Sequence, residues 1–153
     1  MPHHTDHHIL PYSPEQLFAL VADVERYPEF LPWCRAARIL KHAPDGFLAE
    51  LVISFRGFTE SYVSRVTLNA PEAIDVILVR GPFAHLENRW RFTPVPTGGT
   101  EVEFFLDFQF RSRLLETLIG GLFEKASRKM TGAFRTRAEA LYAIRACPLS
   151  GPG

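Results

Sequence analysis

"EVEFFLDFQFRSRLLETLIGGLFEKASRKM", residues 101–130, changes its period partway along. Up to Phe110 the apolar residues alternate. Val102, Phe104, Leu106, Phe108 and Phe110 share one face of a strand, and Glu101, Glu103, Asp107 and Gln109 take the other. From Ser112 the spacing becomes helical, and Leu115, Ile119, Leu122, Ala126, Met130, Ala133 and Leu141 carry it to about Arg145. A strand with one dry and one wet face belongs to an antiparallel sheet. The long helix after it must bury its stripe against that sheet. Gly120 and Gly121 weaken the helix, each by about 1 kcal/mol against Ala. They predict a bend there or close packing on the sheet.

Residues 36–43, 46–55, 59–68, 73–79 and 85–92 read as further strands. Ala49, Leu51, Ile53 and Phe55 share a face. Tyr62, Val66 and Leu68 do the same, with Ser64 among them, and Leu86, Asn88, Trp90 and Phe92 oppose His85, Glu87, Arg89 and Arg91. Arg56-Gly57 reads as a tight hairpin turn. At the start, "HHTDHHIL" reads as a short strand. A helix follows, with Ser13 as N-cap, Pro14 at the first position and Gln16 closing a capping box. Tyr12 and Leu17 are placed for a hydrophobic staple, and Leu17, Leu20, Val21 and Val24 form the apolar face.

"VERYPEFLPWC", residues 24–34, interrupts that helix. Pro28 ends it near Tyr27, and a second short helical turn from Pro28 carries Phe30 and stops before Pro32. Two readings of Tyr27, Phe30 and Trp33 stand side by side: a rigid aromatic wall at a cavity mouth, or a plug in the core. The fold expectation is α+β. A curved antiparallel sheet of about six to seven strands wraps one long C-terminal helix, with two short helices after the first strand. Residues 1–146 form one domain and 147–153 a flexible tail. A helix laid on a curved sheet leaves a cavity, and the inward aromatics make it apolar.

The totals fit this picture. At 153 residues, about 70% of the unfolded surface can be buried, and 13 Phe supply more than a minimal core. The net charge is zero but uneven. Residues 1–112 hold 10 Lys and Arg against 14 Asp and Glu, and residues 113–153 hold 7 against 3. The basic excess of the last segment serves an anionic partner or is a solvated helix face. Cys34 and Cys147 form neither a disulfide framework nor a metal-spaced pair, so a reduced cytosol is expected. No apolar run approaches a bilayer span of about 18 residues, and "MPHHTDHH" has no signal core.

Chemistry-bearing residues are sparse. His3 and His7 alternate with His4 and His8 along a strand, accompanied only by Asp6, and no metal is expected. No nucleophile elbow, P-loop or dinucleotide fingerprint occurs. Glu101, Glu103 and Asp107 fall on the wet face. Ser64 and Asn88 are the polar side chains on inward faces, either satisfied by backbone or presented to a ligand head group. Gly81-Pro82 marks a loop, and Phe83 beyond it is either a gate or tucked under its own turn.

The elements "LVADVERYPEFLPWC", Gly81-Pro82-Phe83, Leu86, Asn88, Trp90, Phe92, the Phe-x-Phe strand and the long last helix resemble the coenzyme-Q-binding START-domain family. That family, within the SRPBCC helix-grip superfamily, includes the RatA-type ribosome association toxins and is often labelled polyketide cyclase/dehydrase-like. The resemblance covers roughly residues 3–145. It implies a helix-grip fold and a hydrophobic ligand. In one branch the ligand is ubiquinone, supporting respiratory electron transport with no known reaction. In the other the protein hinders ribosomal subunit association. Carried onto this chain, the pocket candidates are Trp33, Leu51, Ile53, Tyr62, Ser64, Val66, Phe83, Leu86, Asn88, Trp90, Phe104, Leu106, Leu122, Phe123, Ala126 and Met130.

The leading expectation is therefore a non-enzymatic carrier of ubiquinone or a related isoprenoid, with ubiquinone as ligand and no catalytic cofactor. It is cytoplasmic, with Arg128, Lys129 and Arg135 meeting an anionic inner membrane at its periphery. The alternative is contact between the basic segment and RNA of the large ribosomal subunit. A cyclase comes third, because no acid/base pair is recognisable.

Overall fold

The computed structural model describes residues 3–55 and 57–143. The chain runs β1 (His3–Leu10), α1 (Pro14–Ala22), a 3₁₀ helix (Val24–Glu29) and then six strands: β2 (Cys34–Ala43), β3 (Gly46–Phe55), β4 (Phe58–Asn69), β5 (Ala73–Arg80), β6 (Phe83–Pro94) and β7 (Thr100–Phe110). A long interrupted helix follows. The strands make one curved antiparallel sheet in the order β1-β7-β6-β5-β4-β3-β2. Phe55 pairs with Phe58 across the turn at Gly57, which sits at φ +86°. The β5–β6 ladder is short. It runs from Ala73↔Arg91 to Ile77↔Glu87, after which the strands diverge toward Gly81-Pro82. Bulges in β2, at Val63/Ser64 and at Phe83/His85 shift the register and add twist.

Alternation behaves as the sequence predicts. Phe104, Leu106, Phe108 and Phe110 are buried on the concave side. The convex side is laced with exposed pairs: His85 with Asp107 and Arg91 with Asp75, each at 3.0 Å, and His7 with Glu101. Arg89 lies over the Phe105 ring, 4.2 Å from its centroid. The carboxylates Glu101 and Asp107 are thus engaged on the wet face.

The capping box of α1 is formed: the Gln16 N–H donates to Ser13 Oγ, and the Ser13 N–H donates to Gln16 Oε1. The helix stops earlier than Tyr27, however. It ends at Ala22, Asp23 leaves helical geometry, and the second helix starts at Val24, with Pro28 inside it. Proline in an α-helix would clash with the carbonyl four residues back, whereas short 3₁₀ turns serve as connectors. The Tyr27 hydroxyl donates to the Val21 carbonyl, one of the end carbonyls that an α-helix leaves without a partner.

The C-terminal helix is one rod with three irregularities. α2 (Arg113–Leu115) opens under an Ser112 cap, a π turn spans Glu116–Gly120, α3 is Gly121–Arg128, Lys129 breaks the coil, α4 is Met130–Ala138 and a second π turn covers Glu139–Ala143. The buried stripe is Ile119, Phe123, Ser127, Thr131, Phe134 and Ala138. The expected residues Leu115, Leu122, Ala126, Met130, Ala133 and Leu141 flank it, half-buried. The stripe includes two polar residues because their hydroxyls are satisfied. Ser127 donates to the Phe123 carbonyl at 2.8 Å, and Thr131 donates to Asp6 on β1. The π turn ends at Gly120, so the helix is irregular where the two glycines stand, and the atoms nearest to Gly120 belong to the flexible Glu116 side chain of the same helix rather than to the sheet. A Cβ there would meet Glu116 Oε2 at 2.1 Å, and the same carboxylate accepts from the Phe110 N–H at 3.4 Å. The expected tail, 147–153, and Cys147 lie outside the described residues.

Candidate functional site

Between the sheet and the C-terminal helix lies a cavity of about 60 Å³. β3 and β4 supply Leu51, Tyr62, Ser64 and Val66, β6 and β7 supply Leu86, Asn88, Trp90 and Leu106, and the helix supplies Phe123 and Met130. Trp33 closes one side. These are all sequence-derived candidates. Val21, Val24, Tyr27, Ala49, Ile74 and Val76 complete the lining and were not among them. The signal was there for Ala49, which shares a face with Leu51, and for Val21 and Val24, which the sequence pattern places on one apolar helix face and which point inward from α1 and from the start of the 3₁₀ helix.

Five candidates fall elsewhere. Ile53 is a core residue, 1% exposed. Leu122 is half-buried beside the helix stripe, Phe104 packs on Trp90 and His4, and Ala126 faces an outer groove. Phe83 is the clear correction. It is fully buried, stacked on Phe110 at 4.7 Å and against Tyr62 at 5.3 Å, so it is no exposed gate. The bulge at Phe83/His85 turns it inward.

The aromatics of residues 24–34 divide between the two roles set out for them. Tyr27 and Phe30 set their rings against Phe134 at 5.3 and 5.1 Å and hold the helix. Trp33 stacks on Phe55 at 6.3 Å and forms a wall.

The cavity presents donors in an apolar shell. Ser64 is 2% exposed, and neither its hydroxyl nor that of Tyr62 has a hydrogen-bond partner among the described residues. Asn88 is bound on both sides of its amide: Nδ2 donates to the Phe105 carbonyl at 2.9 Å, and Oδ1 accepts from the Trp90 indole N–H at 3.0 Å. Each group has one hydrogen-bonding position left. Burial raises the Tyr27 and Tyr62 hydroxyls well above the ordinary phenol range, with Cys34 a lesser cause in both. Burial also pushes the nearby Cys34 thiol up to about 11, with its Ala36 backbone contact pulling weakly the other way. All three therefore keep their protons at neutral pH. No carboxylate, imidazole or amine lines this cavity among the described residues.

Outside Trp33 runs an open groove of about 640 Å³, walled by Leu31, Pro32 and Trp33 on one side and by helix residues 126–136 on the other. Arg128, Lys129 and Arg135 line it, all exposed. Arg128 pairs with Glu124 at 3.0 Å, whereas Lys129 and Arg135 have no carboxylate partner among the described residues. Asp6 lies on the far wall. Burial would raise its carboxyl, but the Thr131 hydroxyl, the His7 N–H and His8 hold it below its ordinary value. His8 reaches Asp6 Oδ1 at 3.0 Å, and His4 stands 3.9 Å from Oδ2. No group of three or more metal-ligating side chains forms among the described residues. No helix among them is long and apolar enough to cross a membrane.

Comparison with known proteins places this architecture. The family model described as "Polyketide cyclase / dehydrase and lipid transport" matches residues 10–135. A Rickettsia prowazekii protein named "Ribosome association toxin RatA" is 46% identical over 86% of this chain and 92% of its own length. A Xenopus laevis protein named "Coenzyme Q-binding protein COQ10 homolog B, mitochondrial" is 32% identical over 93% of this chain and 60% of its own. A START superfamily structure from Mycobacterium smegmatis superposes with a TM-score of 0.77 at 22% identity, over 91% of this chain and 98% of that one. The sheet order, the helix laid across it and the enclosed apolar cavity are the START-type helix-grip fold, and the chain belongs to the polyketide cyclase/dehydrase and lipid transport family.

Proposed function

We propose that the chain binds an apolar ring-bearing molecule of the ubiquinone kind in the cavity and does no chemistry on it. One observation carries this reading: the lining offers hydroxyl and amide donors in an apolar shell with no acid/base pair. Acid–base catalysis needs a group that titrates near the working pH, and Tyr27, Tyr62 and Cys34 are shifted away from it. A quinone carbonyl is an acceptor that Ser64, Tyr62 or the free Asn88 N–H can serve. The cytoplasm, at the inner membrane periphery, is where such a carrier would work.

The cavity of about 60 Å³ lies well below the roughly 300–1,000 Å³ of ordinary ligand sites, so the ligand must displace a wall to fit. Organic extraction of the purified native protein followed by mass spectrometry tests the proposal. Quinone in near-stoichiometric amount, reduced in Tyr62→Phe, is expected. Protein that is empty and takes up no added quinone overturns it.

A second reading has its own support, the 46% identity to a protein named for ribosome association and the basic excess of residues 113–153. It predicts that overexpression moves subunits out of intact ribosomes in a sucrose gradient. An unchanged profile removes it.

A further inference from the structure

β5 and β6 form one hairpin, yet their ladder stops at Ile77↔Glu87. Continued in register it would set Val79 opposite His85 and Arg80 opposite Ala84, and neither pair forms. Two bulges at that level draw the arms apart. Val79 is the extra residue of β5 against β4, where Ser64 pairs with Leu78 and Val63 with Arg80. Ala84 is the extra residue of β6 against β7, where Phe83 pairs with Phe110 and His85 with Gln109. Each arm therefore bends with its outer neighbour. The tip between the arms is fastened at three points. A Cβ on Gly81 would meet the Tyr62 Cβ at 2.5 Å, the Arg111 N–H donates to the Pro82 carbonyl at 2.7 Å, and Phe83 is fully buried. The arms cannot zip shut without freeing that tip. Between them lies a cleft of about 250 Å³, lined by Ile77, Leu78 and residues 84–87.

The cleft walls are strand edges within the sheet. Residues 78–80 have no strand partner on this side, and neither do residues 84–86 opposite them. Such an edge is a template for another chain. The outer edge β2 shows how this protein protects one. Two bulges break it, Arg35, Arg38 and Lys41 stand exposed along it, and the Ile39 N–H donates to Glu25 at 3.3 Å. The cleft has the opposite character. Ile77 and Val79 are 57% and 46% exposed, and their spacing of two is that of a strand face. A strand laid beside β5 would set its own outward side chains against them. The acidic groups nearby are engaged: Glu87 with Arg89 at 3.2 Å, and Asp107 with His85 and Asp75 with Arg91 at 3.0 Å each. Arg65, opposite Ile77 on β4, and Arg80, at the end of the arm, are exposed and have no carboxylate partner among the described residues. The free charge beside the apolar pair is therefore positive.

We propose that this cleft is a docking site for an extended segment of a partner protein, which adds as a short strand along β5. Its main chain takes up the open edge at residues 78–80. Two of its aliphatic side chains cover Ile77 and Val79, and acidic residues at its ends meet Arg65 and Arg80. A peptide backbone brings donors and acceptors at strand spacing, as strand addition to an open edge requires, whereas a lipid or a nucleic acid would leave the edge unpaired.

The test uses a probe peptide of about nine residues, valine alternating with threonine between paired glutamates. It is titrated against the full chain by fluorescence anisotropy, and amide hydrogen exchange is followed in the complex. The peptide should bind and slow exchange at residues 78–80. It should bind about tenfold more tightly than a lysine-flanked counterpart, taking each of two surface ion pairs as worth roughly threefold. Arg65→Gln/Arg80→Gln should make the two peptides equal. Ile77→Thr/Val79→Thr keeps β-branched side chains at exposed positions and should weaken the glutamate peptide about tenfold. A version with proline at its centre cannot complete the ladder and should not bind. Binding of the proline version, or unchanged exchange at residues 78–80, overturns strand addition. Equal affinity of the two charged peptides for the wild-type chain overturns the acidic ends. Failure of both to bind overturns the site. A wild-type chain that self-associates in sedimentation, with a monomeric Ile77→Thr/Val79→Thr variant, assigns the cleft to a second copy and overturns the partner protein.

Discussion

Tyr62 and Asn88 both face the cavity, yet they answer differently to substitution. The Tyr62 hydroxyl has no protein partner among the described residues, so Tyr62→Phe should leave stability within about 0.5 kcal/mol and weaken ligand binding. Asn88→Ala strands the buried Trp90 indole N–H and should cost about 1–3 kcal/mol. Urea denaturation of both variants separates the two cases. Cys34 gives a pH test. Its buried thiol titrates at about 11 against an ordinary 9.0, so the unfolded chain releases that proton first. Stability from this group is complete below pH 9 and is lost as pH rises toward 11. Cys34→Ala should flatten the stability profile over that window, and an unchanged slope would remove the thiol from the account. Period-two alternation made Ser64 and Asn88 legible as inward residues. It does not extend to Phe83, which reads as a loop residue, either a gate or tucked under its turn; the structure buries it, and nothing in "GPFAHL" marks the bulge beside it.

Among the elements, the C-terminal helix shows most clearly what a hydrophobic pattern leaves out. The pattern of Leu, Ile, Ala and Met finds the helix and its length. It misplaces the buried stripe, since Ser127 and Thr131 enter the core with their hydroxyls satisfied locally and on β1, and Phe134 one turn further on was overlooked. The Thr131–Asp6 contact fastens the helix to the edge strand. Thr131→Val should lose about 1–2 kcal/mol near neutral pH. The Asp6 carboxyl titrates below its ordinary value, so its contribution is present above pH 3.8 and fades as pH falls through the lowered value. The gap between wild type and Thr131→Val should accordingly shrink in acid. Denaturation at pH 7 and pH 2.5 measures this, and a gap that widens in acid would contradict it. Pro28 misled in the same way as the helix stripe. On the sequence pattern it ends α1 near Tyr27, whereas α1 ends at Ala22 and Pro28 lies inside the 3₁₀ coil that follows, an element with no distinct sequence mark.

For the molecule as a whole, the antiparallel sheet and the helix across it follow from alternation and from a period change at one point, Ser112, whereas the order of the strands is not read from the sequence. The cavity's existence was legible too. Its size was not, because volume depends on how Trp33, Met130 and Phe123 settle against one another. An occupied cavity should stabilise the entire fold. At a hundred times its dissociation constant a ligand adds about 2.7 kcal/mol, or roughly 5–10 °C in melting temperature for a chain of this size. Differential scanning calorimetry with and without a bound probe reads it, and an unmoved transition at saturation would mean that the native state takes up no ligand.

The pairing of β1 with β7, His3 opposite Asp107 through Leu10 opposite Thr100, has a consequence for synthesis. The first strand made is the first to leave the ribosome, and its neighbour in the sheet comes about a hundred residues later. At roughly 5–20 residues per second that is a wait of about 5–20 s. Until then a histidine-rich segment trails without a ladder, and the Asp6 anchor for the helix has nothing to hold. Completion of the fold is therefore timed by the emergence of β7 and the helix behind it. A nascent chain stalled before residue 110 should remain open to protease along its whole N-terminal strand.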